Sequence, residues 1–342
     1  MIDITREDIE SARRRIAGDV RHTPLLRISG RQLGIDCAEL WLKLEHLQVG
    51  GSFKARGMFN RMRANPVPEA GVVIASGGNA GIAVAVAAKA MGVRCEVFVP
   101  ETASQAKRDK LAELGAVLTV VGASYADALA ASLERQVQTG ALLMHAYDQR
   151  EVVIGAGTLA AEVEEAAGVP DRVLVSVGGG GLIAGIAAWF QDRCWIDALE
   201  PELAPTLFRA RESGRPVDVA VSGIAADSLG ARQVGSIAWE LTQRHVDAAH
   251  LLGDAAIRAA QETMWKALRL AVEPAAALPL AALTTGIVAP RTDEHVLLVI
   301  CGANLDLASL VGSVASTLQT LARAEPSVSS ERIPCCRTSP SS

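Results

Sequence analysis

Hydrophobic and polar residues alternate along the chain in blocks that predict repeated strand–helix units. Near the N-terminus, Thr5 and Asp8 match a capping box and predict a helix that ends near Ala17. Further on, continuous apolar runs are typical of parallel strands buried on both faces, and the longer amphipathic stretches between them are typical of helices. The predicted strands cover residues 39–45, 71–76, 94–100, 116–122, 173–177, 195–200 and 295–301, and the predicted helices cover residues 80–92, 104–115, 125–138, 182–190 and 254–270.

This order of elements predicts an α/β protein with two open parallel sheets, each covered by helices on both faces. We expect a smaller domain at residues 69–147, inserted between the two halves of a larger domain at residues 1–68 and 148–324. Residues 325–342 are rich in Ser and Pro, and we predict that this tail is disordered.

Composition narrows the class of function. The chain has 342 residues, half of them hydrophobic, which is enough for two buried cores. Its net charge is −5 and no basic run is interleaved with aromatic residues, so we expect a small-molecule partner and no nucleic acid.

Residues 173–190 carry no charge and are long enough to resemble a membrane span. Four consecutive glycines at the centre would cost about 4 kcal/mol in a helix interior. A buried strand, a glycine turn and a buried helix fit the segment better, so we expect no membrane association.

The cysteines and histidines indicate neither a disulfide framework nor a zinc site. No two cysteines have the C-x-x-C spacing, and no two histidines lie four residues apart. The N-terminal residues are charged and lack the apolar core of a secretory signal. We therefore expect reduced thiols and a cytoplasmic protein.

Three glycine-containing loops follow predicted strands, at the sheet edge where parallel α/β proteins bind ligands. They are SGGNAG at 76–81, GGGG at 178–181 and CGAN at 301–304. Backbone N–H groups of the GGGG loop, with the positive end of the next helix, suit a phosphate. A Walker loop is excluded because no GK[ST] follows.

Two alternatives remain open for the GGGG loop. It fits a tight strand-to-helix crossover with no ligand. Gly179, Gly181 and Ala184 also fit a dinucleotide fingerprint, with Glu200 where a ribose-binding acid belongs. The second alternative predicts a nicotinamide-dependent oxidoreductase, but it assigns no function to the SGGNAG loop or to Lys54.

The SGGNAG loop offers Ser76, Asn79 and several N–H groups, which suit a substrate carboxylate. The alternative is a capped helix start with Ser76 or Asn79 as the N-cap. Lys54 follows the turn GGS, and Ser52 fits as the N-cap of the next helix. A lysine in a first helical turn, partly buried, has a lowered pKa and can attack a carbonyl as a neutral amine.

A phosphate loop, a carboxylate loop and an activated amine together predict a pyridoxal 5′-phosphate enzyme that acts on an amino acid. The motifs GSFKARG, SGGNAG, SVGGGGLIAG and CGAN, in this order, resemble the fold-type II serine/threonine dehydratase family over residues 20–322. The resemblance implies the tryptophan synthase β-like fold, with the cofactor between two α/β domains, and a homodimer.

The resemblance also implies roles for individual residues. Lys54 would bind the cofactor covalently and then remove the α-proton of the substrate. Asn79 would bond the 3′-oxygen of the cofactor, and Cys301 would lie beside its pyridine nitrogen. The phosphate would be held by the backbone of Gly178, Gly179, Gly180, Gly181 and Leu182, and the substrate carboxylate by Ser76, Gly77 and Ala80.

Two positions depart from the racemases of this family. Gly77 stands where they carry a second serine, which lowers racemisation as the main activity. Glu200 and the Ala204 carbonyl match two ligands of their divalent-cation site, but Thr206 replaces the second carboxylate, so we predict no firm metal site.

A neutral thiol at Cys301 would not keep the pyridine nitrogen protonated, which favours β-elimination over transamination. We therefore predict dehydration and deamination of L-threonine, L-serine or a related 3-hydroxy amino acid to a 2-oxo acid and ammonia. The stretch SGIAADSLGARQVGSIAW resembles a branch associated with hydroxyectoine utilisation. A catalytically silent amino-acid-binding protein of the same fold is the remaining alternative.

Overall fold

The computed structural model describes residues 3–307. A compact unit ends at Leu305, and a second unit begins at Asp306. The strands are β1 Leu25–Ser29, β2 Glu39–Lys43, β3 Val72–Ala75, β4 Cys95–Val99, β5 Val117–Val120, β6 Leu142–Leu143, β7 Arg172–Ser176, β8 Trp195–Pro201, β9 Ala248–Leu252 and β10 His295–Val299. The helices are α1 Arg6–Ile16, α2 Lys54–Ala64, α3 Asn79–Met91, α4 Gln105–Glu113, α5 Tyr125–Thr139, α6 Arg150–Ala167, α7 Gly181–Phe190, α8 Thr206–Ser213, α9 Ser236–His245, α10 Asp254–Leu268 and α11 Pro274–Thr284.

The larger sheet has six strands in the order β1-β2-β10-β7-β8-β9. All neighbours are parallel except β1, which pairs antiparallel with β2 at the edge. Strands β7 and β10 are apolar and buried because helices cover both faces of the sheet. Their carboxyl ends lead directly into the GGGG and CGAN loops.

The smaller sheet has four parallel strands in the order β5-β4-β3-β6, all from residues 72–143. Strand β3 lies inside this sheet and leads into the SGGNAG loop. Its strands come from the segment for which we predicted an inserted domain. The exact domain limits stay a prediction, and the proposed tail at 325–342 lies outside the described residues.

The strand–helix units predicted from hydrophobicity are confirmed, including the capping box at Thr5 and Asp8. Residues 173–190 form β7 and α7, and no described helix is long and apolar enough to cross a membrane. Several elements were not predicted. Helix α6 was missed because it is buried on nearly all sides and lacks the polar face that marks an amphipathic helix. Strands β1 and β9 were missed because they are short and lie at the edges of the sheet.

A buried ionic cluster anchors α2, the helix that begins at Lys54. The guanidinium of Arg56 is fully buried and bonds both carboxylate oxygens of Glu45, each at 2.8 Å. It also bonds Glu162 on α6 at 2.6 and 2.8 Å. The ammonium of Lys43 on β2 reaches Glu162 at 2.5 Å. The cluster thus joins α2 to β2 and α6 through charges that have no access to water.

Arg56→Met should lower the free energy of unfolding by about 3–5 kcal/mol, because it leaves a buried carboxylate without its partner. Arg63→Met on the same helix is the matched control. Arg63 pairs with Asp19 but its side chain is 41% exposed, so its loss should cost less than about 1 kcal/mol. Urea titrations followed by circular dichroism compare the two. Equal losses would contradict the anchoring role of Arg56.

Candidate active site

Lys54 is held in place by the CGAN loop. The Phe53 N–H donates to the Cys301 carbonyl at 3.0 Å, and Ser52 forms an isolated antiparallel bridge with Gly302. The N-cap residue of α2 is Phe53, so our assignment of Ser52 as the cap is wrong. Ser52 is extended because it pairs with the neighbouring chain segment, and its buried hydroxyl has no hydrogen-bond partner among the described residues.

The amine of Lys54 has a strongly altered acidity. Burial lowers its pKa to about 8, while Cys301 and Glu273 nearby act in the opposite direction. The Nζ atom donates to the Ala146 carbonyl at 2.6 Å and lies 5.1 Å from the centre of the Phe53 ring. The lowered pKa predicted for this lysine is therefore confirmed, with burial as its first cause.

The GGGG loop wraps closely around its neighbours. Gly180 has a φ of 85° and is the N-cap of α7, a conformation that favours glycine. A Cβ at Gly179 would lie 2.3 Å from the Tyr147 ring, and one at Gly180 would lie 2.6 Å from Ala238. The loop is therefore closely packed by Tyr147 and Ala238, and its glycines lie at the positive end of α7 without side chains of their own.

Residues Ala146 and Tyr147 connect the amine to the glycine loop. The carbonyl of Ala146 accepts from Lys54, and the ring of Tyr147 fills the space beneath Gly179. His145 fixes this segment because its Nδ1 atom accepts the backbone N–H groups of Tyr147 and Asp148. Adjacent residues of one segment thus contact both parts of the predicted site, which lie far apart in the sequence.

In the SGGNAG loop, α3 begins at Asn79 and its N-cap is Gly78, without a side-chain cap bond. The alternative in which Ser76 or Asn79 caps this helix is therefore wrong. The Ser76 hydroxyl instead accepts the Gly78 N–H at 3.4 Å. Ala80 is buried within α3. A Cβ at Gly77 would lie 3.3 Å from Val99.

The side chain of Asn79 meets two residues that the sequence analysis missed. Its Nδ2 atom donates to both carboxylate oxygens of Glu273, at 2.9 and 3.0 Å. Its Oδ1 atom accepts from Asn304 at 2.7 Å. Burial raises the pKa of Glu273 to about 7. In the sequence, Glu273 is marked only as an acidic residue directly before Pro274 at the start of a helix. This pattern is too common to identify a functional residue.

Cys301 and Leu182 complete the predicted set. The Cys301 side chain is buried, and burial raises the pKa of its thiol well above the ordinary value, so the group is neutral. Leu182 is the second residue of α7, with its side chain buried and its backbone in the first turn.

Glu200 is engaged in a structural role. Its two oxygens accept the backbone N–H groups of Leu207 at 2.8 Å and Phe208 at 2.7 Å, at the start of α8. The Thr206 hydroxyl lies 2.8 Å from Glu200 and 2.5 Å from the Gly178 carbonyl. A fully buried carboxylate bonded in this way is not presented to a ribose, which argues against the dinucleotide alternative.

Among residues 3–307, no group of three or more His, Cys, Asp or Glu side chains could hold a metal ion. The hydroxyl of Thr206 occupies one side of Glu200, where a second carboxylate would be needed for a hard cation.

Comparison with known proteins decides the family. The pyridoxal-phosphate-dependent enzyme family matches residues 16–302 of this chain, which include Lys54 and the SGGNAG and GGGG loops. The chain belongs to this family. Its α/β fold with parallel sheets is that of fold-type II, and pyridoxal 5′-phosphate is its cofactor.

Proteins similar to this enzyme act on hydroxylated amino acids, by their names. A phenylserine dehydratase from Ralstonia pickettii is 36% identical over 78% of this chain and 83% of its own length. A solved threonine deaminase from T.th. is 31% identical, with a TM-score of 0.82 over 89% of this chain and 99% of its own. The serine racemase of maize is 28% identical, with a TM-score of 0.85 over 94% of this chain and 100% of its own.

The residues present fit the cofactor on structural grounds. The GGGG loop carries no side chains at the N-terminus of α7, and Ser52, two residues before Lys54, has a buried hydroxyl without a partner among the described residues. A phosphate dianion suits the first feature and a polar ring substituent suits the second.

Gly179→Ala should weaken pyridoxal 5′-phosphate binding by at least about tenfold, because the new methyl group would displace Tyr147 and distort the loop. Gly18→Ala is the control, since nothing lies within 4 Å of a Cβ there. Titration of the apoprotein, followed by the visible absorbance of bound cofactor, gives both dissociation constants. Equal affinity of the two variants would show that the loop does not hold the phosphate.

Proposed function

We propose that this enzyme is a dehydratase that eliminates the β-hydroxyl of a 3-hydroxy amino acid as water. The enamine that results takes up water again and releases ammonia, which leaves a 2-oxo acid. The observation that carries the proposal is that the Ala146–Tyr147 segment contacts both the Lys54 amine, whose pKa is lowered to about 8, and the GGGG loop. The names of the phenylserine dehydratase and the threonine deaminase support the reaction class.

Bound pyridoxal 5′-phosphate supplies the electron sink that stabilises negative charge on the α-carbon. In our proposal the backbone N–H groups of Gly178, Gly179, Gly180, Gly181 and Leu182 bind the phosphate. The positive end of α7 adds to this attraction. Lys54, once free of the cofactor, accepts the α-proton as a neutral amine, which its lowered pKa favours near pH 8.

The remaining roles concern orientation and selectivity. Ser76, Gly77 and Ala80 would receive the substrate carboxylate at the start of α3, and Asn79 would donate to the cofactor's 3′-oxygen. The neutral thiol of Cys301 would leave the pyridine nitrogen unprotonated. Because this weakens the electron sink, prompt loss of the β-hydroxyl is favoured over transamination.

The absence of a side chain at Gly77 favours elimination over racemisation. Racemisation needs a second acid on the opposite face of the α-carbon, and Gly77 carries no hydroxyl to supply one. We propose L-threonine and L-serine as substrates. A related 3-hydroxy amino acid from hydroxyectoine utilisation is a further option within the same reaction class.

The cellular setting and the assembly belong to the same proposal. We infer a cytoplasmic protein, because the described cysteines at positions 37, 95, 194 and 301 are free, which suits a reducing compartment. We infer a homodimer from the family resemblance. We also propose that residues 69–147 act as a smaller domain beside a larger one formed by residues 1–68 and 148–324.

The rate at which the apoprotein attaches pyridoxal 5′-phosphate to Lys54 should rise with pH and level off above about pH 8. The neutral amine is the reacting form, and its pKa is lowered from about 10.4 for an ordinary lysine. Borohydride reduction at timed intervals, followed by mass spectrometry of the peptide, measures the rate.

Lys54→Arg and Lys89→Arg are the matched controls. The first should abolish both attachment and turnover, and the second, at an exposed position of α3, should change neither. Labelling of another lysine, or a rate that still rises above pH 10, would refute the assignment of Lys54.

A panel of hydroxy amino acids should separate the remaining activities. We expect ammonia and a 2-oxo acid from L-threonine or L-serine, with at least about tenfold less racemised product, because Gly77 offers no second acid to the substrate. Coupled assays for ammonia and chiral chromatography of the remaining substrate measure both. Cofactor binding without ammonia from any member would favour the silent binding protein.

A further inference from the structure

Asn79 lies in the middle of a directed chain of hydrogen bonds. Lys110 on α4 donates to Oδ1 of Asn304 at 2.6 Å. Nδ2 of Asn304 donates to Oδ1 of Asn79 at 2.7 Å, and Nδ2 of Asn79 donates to Glu273 at 2.9 Å. Every amide group in the chain points the same way, from an ammonium at one end to a carboxylate at the other.

Glu273 is placed to impose this direction. Its side chain is almost fully buried, at 3% exposure, and among residues 3–307 no cationic side chain forms an ion pair with it. Above its pKa of about 7 the ionised Glu273 has only acceptor oxygens, so the amide end of Asn79 must face it. A buried carboxylate without such donors would cost several kcal/mol.

Asn304 reinforces the direction from the opposite side. Its Nδ2 atom also donates to the Gly50 carbonyl at 2.8 Å, which fixes its own amide. The space is tight, since a Cβ at Gly51 would lie 2.7 Å from Oδ1 of Asn304 and one at Gly302 would lie 2.4 Å from Glu273. Asn79 is thus held between a donor and an acceptor that both favour one orientation.

We propose that Glu273 and Asn304 are positioning residues that fix the amide of Asn79 as a hydrogen-bond donor toward the cofactor. This inference rests on the proposed function, in which Asn79 faces the 3′-oxygen. Both Glu273 oxygens lie within reach of one shared N–H of the amide, at 2.9 and 3.0 Å, and Asn304 occupies its carbonyl, so in our proposal the second N–H binds the ring oxygen. Reversing the amide would present a carbonyl and repel that oxygen.

Two isosteric substitutions can reverse the chain. Asn304→Asp replaces the donor to Asn79 by an acceptor. Residues 273 and 304 are then both acceptors, and Asn79 has only one NH₂ group to donate to them. Glu273→Gln removes the charge and adds a donor at the other end. In the double variant the new amide can donate to Asn79 and Asn79 can donate to the new carboxylate, which is a consistent chain of opposite direction.

The stability of the apoprotein and the binding of cofactor should therefore respond differently. Asn304→Asp alone should lower the urea midpoint of the apoprotein. The double variant should recover the part of that loss that comes from the contact with Asn79, while the part due to the lost bond to the Gly50 carbonyl remains. Pyridoxal 5′-phosphate should bind at least about tenfold more weakly to both, because Asn79 no longer points its donor at the cofactor. The visible absorbance band of the bound cofactor should also shift in both variants.

Two matched controls test for general effects of buried substitutions. Asn60→Asp changes a buried asparagine that also lies between a donor, Arg15, and an acceptor, the Glu151 carbonyl. Glu294→Gln removes a buried carboxylate that pairs with Arg172. Both should lower the urea midpoint without changing the absorbance band or the dissociation constant of the cofactor by more than about twofold.

The proposal would be overturned if the double variant recovered cofactor affinity and the wild-type absorbance band as well as stability. In that case the direction of the hydrogen-bond chain would have no effect on cofactor binding. Unchanged binding and spectra in Asn304→Asp would overturn it as well. Wild-type protein that bound no cofactor would refute the proposed function instead, and the stability measurements alone would still decide whether the chain has a preferred direction.

Discussion

The site depends on burying one amine, which brings its pKa down toward neutral pH, beside a loop that suits an anion. Lys54 loses solvation at the start of α2, and this lowers its pKa to about 8. The neighbouring backbone holds it there, because Ser52 and Phe53 pair with the CGAN loop and the Ala146 carbonyl accepts a hydrogen bond from the amine. An exposed lysine at the same point would be charged and would react slowly with a carbonyl.

This placement requires a rigid support, which the buried ionic cluster of Arg56 provides two residues further along α2. Arg56 cannot move without leaving Glu45 and Glu162 unpaired in an apolar interior. The cluster therefore connects the position of the reactive amine to β2 and α6. On the other side, the Glu273 oxygens accept from the Asn79 amide and, in our proposal, set its direction.

Much of this arrangement was predictable from sequence, because repeated strand–helix units place their loops at one sheet edge whatever the tertiary details. The GGGG loop and the lowered pKa of Lys54 follow from local chemistry. Glu273 and the Ala146–Tyr147 segment were not predictable, since their roles depend on contacts between residues 92 and 194 positions apart. The N-cap predicted at Ser52 was wrong because Ser52 pairs with the distant Gly302 and does not cap the start of α2.

The central claim is that Lys54 and residues 178–181 bind opposite ends of one pyridoxal 5′-phosphate molecule. A crystal structure of the protein soaked in this cofactor tests it most directly. We predict continuous density from the Lys54 side chain through the ring to a phosphate bonded by the N–H groups of the glycine loop. A cofactor bound elsewhere, or an amine and a loop that open into separate clefts, would contradict the account.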